Sequence, residues 1–410
     1  SLALWAFYRK FFVWEQRKLG DIAKRIVRKN KNLKSTLVLT ISAQYGLVDQ
    51  KKFFNKNIAG KNIAKYYLIE KGEFAYNKSY SKGHPLGVIK RLDYYDVGIL
   101  STLYIIFKPE NINSNFLSAY YDTKCWYKEV TKYAAEGARN HGLLNIPTQD
   151  FFKTELIITT NNKEQQRIGN IIKIVNKILD LQKRKLDNLI KIRKFYLSKF
   201  FPTKRKAEPE LRLKKSTNIS WKNKKLGEIG KVKSGIGFPT SEQGGKVGVP
   251  FYKVSDMNNK GNEFEMVTAN NYVSIDRIKA NRWKVIREVP AIFFAKVGAA
   301  VLLNRKRLCR IPFLLDNNTM AYCMDQAILD PIFTKMLFET INLPSLAQLG
   351  ALPSYNASDV ESLFVYIPTL EEQKKLAKIF QKIDNLIVYQ QKKISLLKQN
   401  KEFLLQNLFI

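Results

Sequence analysis

The chain repeats itself, and this repeat constrains its fold more than any other feature. Residues 14–22 and 221–229 share the pattern Trp-x-x-x-Lys-Leu-Gly-[Asp/Glu]-Ile at an offset of 207. A Glu-Gln pair recurs at an offset of 208, beginning at Glu164 and at Glu372, and a long helical segment follows it each time. A repeat that spans most of a chain predicts two copies of one structural unit, here of about 205 residues each.

The segments 163–201 and 371–409 are predicted to form long helices. Apolar residues recur along both at alternating steps of three and four, which is typical of a coiled coil. Both seams contain a glutamine at the same internal position, Gln182 and Gln390, and a polar seam residue can fix the register of a helix pair. The charged linker 202–215 contains two prolines and ends the first helix. Antiparallel pairing is favoured because it lets the second unit begin where the first helix ends; two separate amphipathic helices are the alternative.

The two globular parts, 1–155 and 216–366, have a mixed composition. Runs of β-branched and aromatic residues at Ser35–Ile41, Tyr66–Ile69 and Ala291–Phe294 predict short strands. The expected fold class is therefore α+β: two globular recognition domains separated by an antiparallel pair of long helices, a coiled coil, with an internal pseudo-twofold repeat.

The charge balance indicates a polyanionic partner. Lysine and arginine number 70 against 35 aspartate and glutamate residues, which gives a net charge of +35. Nucleic acid is the commonest partner of such a surface, and an anionic membrane surface is the competing interpretation. No apolar run reaches the roughly 18 residues of a membrane span. The opening residues lack the charged region of a secretion signal, so we expect a cytoplasmic protein, with its three cysteines reduced.

The sequence contains no motif for catalysis. It has no two adjacent prolines, as an amino-methyltransferase signature requires, and no phosphate-binding G-x-x-x-x-G-K-[ST] loop. Gly235-Ile-Gly237 lacks the rest of a dinucleotide fingerprint and is interpreted as a turn. Only two histidines occur, His84 and His141, so no histidine-based metal cluster is available. We therefore expect a DNA reader that has no catalytic residue, bound metal or cofactor of its own.

Candidate DNA contacts lie in corresponding segments of the two halves. Phe74–Lys78 weakly matches Ile292–Lys296, and the segment Asn304–Arg307 follows a strand-like run from Ala291 to Leu303. Arginine can hydrogen-bond the edge of guanine, and asparagine can hydrogen-bond the edge of adenine. The alternatives are a solvated turn that touches only phosphate at Asn304–Arg307, a core position for Tyr80 and a structural role for His141. The candidate residues are Lys78, Ser79, Tyr80, Lys90, Arg91, Arg139 and His141 in the first half, and Lys253, Lys296, Asn304, Arg305, Lys306, Arg307 and Tyr355 in the second.

The expected geometry predicts a divided target. Two reading heads at the ends of a rod roughly 50 Å long would contact sites more than one DNA turn apart, a turn being about 34–36 Å. Because the heads differ in sequence, the two half-sites should differ, and helix length should set the unread spacer.

This arrangement resembles the specificity (S) subunit of type I restriction–modification enzymes over essentially the full chain. The resemblance rests on the two Trp-x-x-x-Lys-Leu-Gly openings, on Ile146–Phe151 and on Ile367–Gln373. It implies target-recognition domains at 1–155 and 216–366, conserved helices at 163–201 and 371–409, and a linker at 202–215. One departure is Thr159–Asn162, which replaces the Pro-Thr-Leu that precedes Glu-Gln in the second half.

The resemblance also implies partners. Two modification subunits using S-adenosylmethionine would bind around the helices and methylate adenine in double-stranded DNA, and two restriction subunits would add cleavage driven by ATP and Mg²⁺. A fused recognition subunit of another restriction–methylation type is one rival interpretation. A structural or RNA-binding protein with a basic coiled coil is another, but it does not explain two duplicated heads.

Overall fold

The computed structural model describes residues 13–56, 62–81, 83–134, 144, 146–203, 206–213, 220–347 and 352–409. Contacts divide the chain into two compact units. Unit 1 comprises Ser1–Arg184 with Lys392–Ile410, and unit 2 comprises Lys185–Gln391. Part of each long helix therefore belongs to each unit.

The first repeat alternates short strands with short helices and ends in a helix of 39 residues. Its elements are β1 (Trp14–Lys18), α1 (Leu19–Ile22), β2 (Ala23–Ile26), β3 (Leu39–Ser42), β4 (Gly46–Asp49), α2 (Gln50–Phe54), β5 (Tyr67–Glu70), β6 (Phe74–Asn77), β7 (Val88–Arg91), β8 (Val97–Leu100), β9 (Ile105–Pro109), α3 (Ser114–Tyr121), α4 (Tyr127–Tyr133), α5 (Thr148–Lys153), β10 (Glu155–Thr159) and α6 (Asn162–Phe200).

The second repeat also ends in a helix of 39 residues. Its elements are β11 (Lys222–Lys225), β12 (Gly230–Ser234), β13 (Val249–Tyr252), β14 (Tyr272–Val273), α7 (Ile275–Ala280), β15 (Ala291–Ala295), α8 (Ala299–Leu302), β16 (Lys306–Cys309), β17 (Leu314–Leu315), β18 (Thr319–Met324), α9 (Pro331–Thr340), α10 (Ala357–Glu361), β19 (Phe364–Ile367) and α11 (Leu370–Leu408).

The two repeats contain the same four-stranded antiparallel sheet. Its strand order is β2-β9-β6-β7 in the first repeat and β12-β18-β15-β16 in the second. A two-stranded ribbon accompanies each sheet, β1 with β10 and β11 with β19. The weak sequence match between Phe74–Lys78 and Ile292–Lys296 corresponds to the equivalent strands β6 and β15. The predicted α+β class and internal repeat are confirmed.

The shared Trp-x-x-x-Lys-Leu-Gly pattern has a structural cause. Leu19 and Leu226 are completely buried, and each donates its backbone N–H to the carbonyl that precedes the closing strand of the ribbon, at Thr154 and Leu363. A Cβ on the following glycine, Gly20 or Gly227, would lie 3.2 Å from a backbone carbonyl oxygen, so a side chain is poorly tolerated there.

The long helices run antiparallel within each unit. In unit 1, the last residues of α11, including Phe409, share a hydrophobic core with Trp14 and with Ile168 near the start of α6. In unit 2, Phe200 at the end of α6 shares a core with Phe380 near the start of α11. The start of one helix thus lies beside the end of the other, which confirms the predicted antiparallel pair.

A repeated glutamine joins each long helix to a short helix of a globular part. The Gln165 side chain accepts the Asn113 N–H at 2.8 Å, and Asn113 caps α3. The Gln373 side chain likewise accepts the N–H of the α9 cap Asp330 at 2.9 Å. Each glutamine also donates its amide to a carbonyl preceding its own helix. The repeated glutamine therefore positions the globular part of each unit on the helix.

A repeated ion pair fixes the same contact further along the helices. In unit 1, Asp122, which follows α3, accepts Lys401 of α11 at 2.6 Å and Lys90 of β7 at 2.5 Å. In unit 2, Glu339 of α9 accepts Arg193 of α6 at 2.6 Å. Lys401 and Arg193 occupy corresponding positions of the two long helices, so the globular part of each repeat is tied to the helix of the other repeat.

The predicted strand at Ser35–Ile41 is wrong in its first half, because β3 begins at Leu39. Asn30 accepts the Ser35 N–H at 3.1 Å and donates to the Ser35 carbonyl at 2.9 Å, and the Ser35 hydroxyl accepts the Leu37 N–H at 3.2 Å. These local side-chain bonds compete with strand pairing.

The other two strand predictions are confirmed, at β5 and β15. The extended run expected to continue from Ala291 to Leu303, however, stops at Ala295. Gly298 then has φ +81°, in the left-handed region, and the short helix α8 follows.

Candidate nucleic-acid interface

Two loops meet beyond the end of β6 in unit 1. The Leu144 N–H donates to the Lys78 carbonyl at 3.0 Å, and the Lys78 ammonium donates to the Ile146 carbonyl at 3.3 Å. Ser79 stays close to the strand end, its N–H donating to the Asn77 side chain at 3.0 Å. Tyr80 is exposed. Arg139 and His141 lie outside the described residues.

Unit 2 brings together the equivalent loops beyond the end of β15. The Tyr355 N–H donates to the Lys296 carbonyl at 3.3 Å, and the Gly298 N–H donates to the Pro353 carbonyl at 2.9 Å. Lys296 and Tyr355, singled out separately in the sequence, are therefore neighbours. We call these paired loops, at Lys78 with Leu144 and at Lys296 with Tyr355, the two loop pairs. Each stands at the same place on the repeated sheet.

Tyr355 itself is turned inward. It is buried, its hydroxyl donates to the Ala295 carbonyl, and burial raises the pKa of that hydroxyl. This geometry supports a role in holding the loop against β15, whereas a base contact would require the hydroxyl to leave its buried partner.

The segment Asn304–Arg307 is also largely engaged within the protein. Asn304 has φ +50° and its amide donates to the Ile341 carbonyl at 3.2 Å. Lys306 is only 3% exposed, and burial lowers the pKa of its ammonium to about 7. It donates to the Asn304 side chain at 2.6 Å and to the Ile341 carbonyl at 2.7 Å. The cation run thus ties β16 to the end of α9 instead of presenting a row of charges.

Arg305 and Arg307 lie half-buried beside that lysine. Arg305 donates to the Asn258 side chain at 2.7 Å, and Arg307 donates to the Asn262 carbonyl at 2.5 Å. Lys253, the remaining candidate in unit 2, donates to the Gln243 side chain at 3.1 Å. All three retain a partner on a neighbouring loop.

Lys90 and Arg91 are engaged in unit 1. Lys90 pairs with Asp122, as described above. Arg91 pairs with Asp93 at 2.7 Å and donates to Ser114 and Asn115 at 2.9 Å each. Both cations hold β7 to the segment around α3. The sequence did not reveal the role of Asp122, because its second partner, Lys401, lies 279 residues away.

No group of three or more His, Cys, Asp or Glu side chains is placed to hold a metal ion among the described residues. Within the same residues, none of the helices has the length and apolar character needed to cross a membrane.

Known proteins share this fold and part of this sequence. Residues 218–399 match the family described as type I restriction modification DNA specificity domain. The chain is 25% identical over 258 residues to the specificity subunit of the type I restriction enzyme MjaIX of Methanocaldococcus jannaschii, a match that covers 60% of this chain and 58% of that protein. The match therefore spans little more than half of that relative's length.

Solved structures match over almost the whole chain. The S subunit of a type I restriction–modification system from M. genitalium has a TM-score of 0.62 at 16% identity, covering 97% of this chain and 96% of that one. A chain from a structural study of assembly and conformational transition in a type I system has a TM-score of 0.55 at 16% identity and covers 97% of each. At this identity the likeness shows the fold. Together with the matched domain at residues 218–399, it supports the resemblance to the specificity subunits of type I restriction–modification systems that the repeated motifs indicated.

Proposed function

We propose that this chain binds double-stranded DNA and selects the target of a type I restriction–modification complex. The observation that carries the proposal is the duplicated sheet with one loop pair at the same place on each copy. Two equivalent reading surfaces on a chain with a net charge of +35 suit two separate contacts with one polyanion.

The target is bipartite and asymmetric. The loop pairs are equivalent in position but unlike in sequence, since Lys78-Ser79-Tyr80 stands where the second repeat has Lys296-Val297-Gly298. Different side chains at equivalent places read different bases. The length of the paired helices sets a fixed spacer between the two half-sites. The target-recognition domains are 1–155 and 216–366, the conserved helices are 163–201 and 371–409, and 202–215 is the linker.

Among the residues singled out in the sequence, those nearest the loop pairs are the favoured DNA contacts. Lys78, Ser79, Tyr80 and Lys296 belong to this group, and Arg139 and His141 are kept as candidates only because they shortly precede Leu144 in the sequence. Arg305 and Arg307 are half-buried and could reach DNA by exchanging a neutral partner for a phosphate. Lys306 and Tyr355 are assigned to support of these loops, because their polar groups are buried.

This chain selects the DNA sequence, and its partner subunits carry out the catalysis. Two modification subunits carry S-adenosylmethionine, and two restriction subunits use ATP and Mg²⁺; this chain binds none of the three. Its location is cytoplasmic, where the DNA of the cell is accessible.

An exposed apolar stripe on α6 is the proposed docking surface for helices of the modification subunit. Within unit 1, Ile171, Ile174, Ile178 and Leu181 are all exposed and follow one another at steps of three, four and three. This spacing places them on one helix face, and an exposed face of that kind buries its area by packing against another helix. On α11, Leu386 and Tyr389 repeat the last two positions and are exposed as well.

Docking is tested by co-purification with the cognate modification subunit. Ile174→Glu with Ile178→Glu should abolish co-purification, because two carboxylates would have to be desolvated in the interface. Gln166→Glu, an exposed position on the same helix and off the stripe, is the matched control and should co-purify normally. If both variants co-purify equally well with the modification subunit, the stripe is not part of the interface.

The function is tested by co-expression with a cognate modification subunit and single-molecule sequencing of host DNA for methylated adenine. The expected result is one split motif with two unlike halves and a fixed spacer. A stable complex that leaves the DNA unmethylated would contradict the proposal that this chain directs modification.

A further inference from the structure

A small cavity in unit 1 opens where the sheet meets the first loop pair. It has a volume of about 130 Å³, and Arg25 of β2 and Lys78 after β6 contribute to its wall. Tyr67, Thr102, Tyr104 and Thr148, which carry hydroxyl groups, also contribute to the wall. A liquid water molecule occupies roughly 30 Å³, so the cavity has room for a group several times larger.

The charges around this cavity are all of one sign. No carboxylate lines it, and no ion pair of Arg25 or Lys78 occurs in the described part of the chain. Lys78 is half-buried, burial lowers the pKa of its ammonium, and its acceptor is the Ile146 carbonyl at 3.3 Å, the long end of the hydrogen-bond range. A desolvated cation next to a second cation, with hydroxyl donors around them, is an environment that an anion stabilises.

The pair of cations at this cavity is particular to the first repeat. Arg25 lies opposite Phe107, which also pairs with Phe74. The corresponding strand position in the second repeat is Val232, opposite Tyr322. Lys78 has a counterpart in Lys296, but Arg25 has none, so the second repeat lacks the pair of cations. The cation pair is thus an addition to the common fold, and nothing in the sheet or its core requires it.

We propose that the cavity between Arg25 and Lys78 binds one phosphate group, and that this phosphate is a phosphodiester of the DNA backbone beside the half-site read by the first loop pair. The proposal rests on the DNA-reading function proposed above. Arg25 supplies a planar guanidinium that can hold two phosphate oxygens, Lys78 supplies a point charge, and the hydroxyls complete the set of donors. Such a contact fixes the position of the domain on the duplex without reading sequence.

The test is the salt dependence of binding to a duplex of arbitrary sequence. The double variant Arg25→Gln with Lys78→Gln should bind more weakly and should lower the slope of log affinity against log salt by about 1, the value for one lost phosphate contact. Arg25→Gln alone, at an exposed position where substitution should change stability little, should show part of the same loss. The melting temperature of each variant, compared with that of the wild type, serves to check that the variant is folded.

Lys24→Gln is the matched control. It removes the same charge from the neighbouring residue of β2, whose side chain points to the opposite face of the sheet. The control should keep the wild-type slope. A control that lowers the slope as much as Arg25→Gln would mean that overall charge is responsible, and the cavity would lose its role.

Inorganic phosphate distinguishes the source of the ligand. Broadening of its ³¹P resonance by the wild-type chain, absent with the double variant, supports an anion site at the cavity. If the phosphate resonance broadens but the double variant keeps the wild-type salt dependence of DNA binding, the cavity binds free phosphate and the proposed backbone contact is overturned. If the salt dependence of DNA binding is unchanged in the double variant and the phosphate resonance does not broaden, the anion site itself is overturned. The proposed function would still stand as long as the wild-type chain binds the duplex. A wild-type chain that binds no duplex would refute the DNA-reading function itself.

Discussion

Asp122 holds two cations of unit 1. Its side chain is 11% exposed and lies between the side chains of Lys90, 23% exposed, and Lys401, 20% exposed. Asp122→Asn keeps the size of the side chain and removes the negative charge, so that two largely buried ammonium groups lose their counter-ion. Breaking a buried ion pair costs about 3–5 kcal/mol, and partial exposure of the lysines places this case near the lower end, at about 3 kcal/mol.

That loss is large enough to measure by thermal denaturation. For a unit of this size, 1 kcal/mol lowers the melting temperature by about 2–4 °C, so the transition of unit 1 should fall by roughly 6–12 °C. Asp93→Asn is the matched control: Asp93 also pairs with a cation, Arg91, but it is 48% exposed, and its loss should cost less than about 1 kcal/mol.

The effect of Asp122→Asn should also depend on pH. Burial alone would raise the pKa of Asp122, but Lys90 and Lys401 outweigh it and hold the pKa of this carboxyl well below its usual value. A carboxyl with a depressed pKa stabilises the fold above its unfolded pKa of about 3.9 and loses that contribution as the pH falls. The difference between wild type and variant should be complete at pH 7 and shrink below about pH 4. Equal melting temperatures at pH 7, or equal losses for Asp122→Asn and Asp93→Asn, would refute the reasoning.

Three further results are expected. Burial lowers the pKa of Lys306 to about 7, so between pH 7 and about 10.4 the unfolded state binds more protons than the folded state. The stability of the fold should therefore rise with pH in this range. Lys306→Met should flatten that rise in melting curves at pH 7 and 9.5 and leave the affinity for duplex DNA unchanged. Gln373→Ala should lower the free energy of unfolding by about 1–3 kcal/mol in a denaturant titration, because the Asp330 N–H loses its acceptor, whereas exposed Gln399→Ala should change it by less than about 0.5 kcal/mol. Phe409→Ala should cost about 3–5 kcal/mol in unit 1, and a loss below about 1 kcal/mol would mean that the end of α11 does not complete that core.

The features that the sequence predicts well are those encoded by periodicity and repetition. The heptad spacing marks the long helices because helix periodicity depends on neighbouring residues. The Trp-x-x-x-Lys-Leu-Gly pattern marks one ribbon in each repeat, and the weak match at Phe74–Lys78 located equivalent central strands, because both patterns recur in the sequence.

The site was harder to predict because it depends on partners distant in sequence. The charge run at Asn304–Arg307 indicated an exposed turn, yet Lys306 lies on the same face of β16 as the core residue Leu308, and its ammonium finds acceptors only once α9 is in place. Arg25 gave no signal at all, since its cavity is assembled from separate segments of the first repeat.

The exchange of helix ends between the repeats bears on the origin of the chain. The core of unit 1 is completed by Leu405, Leu408 and Phe409 from the second repeat, and that of unit 2 by Phe200 and Phe201 from the first. A half-length ancestor would therefore have had an open core on its own. Two identical copies could have closed each other's cores, as in a homodimer, and identical copies read a palindrome. Fusion of two such copies into one chain would allow each half to change independently, so that the two halves of the proposed target need not match.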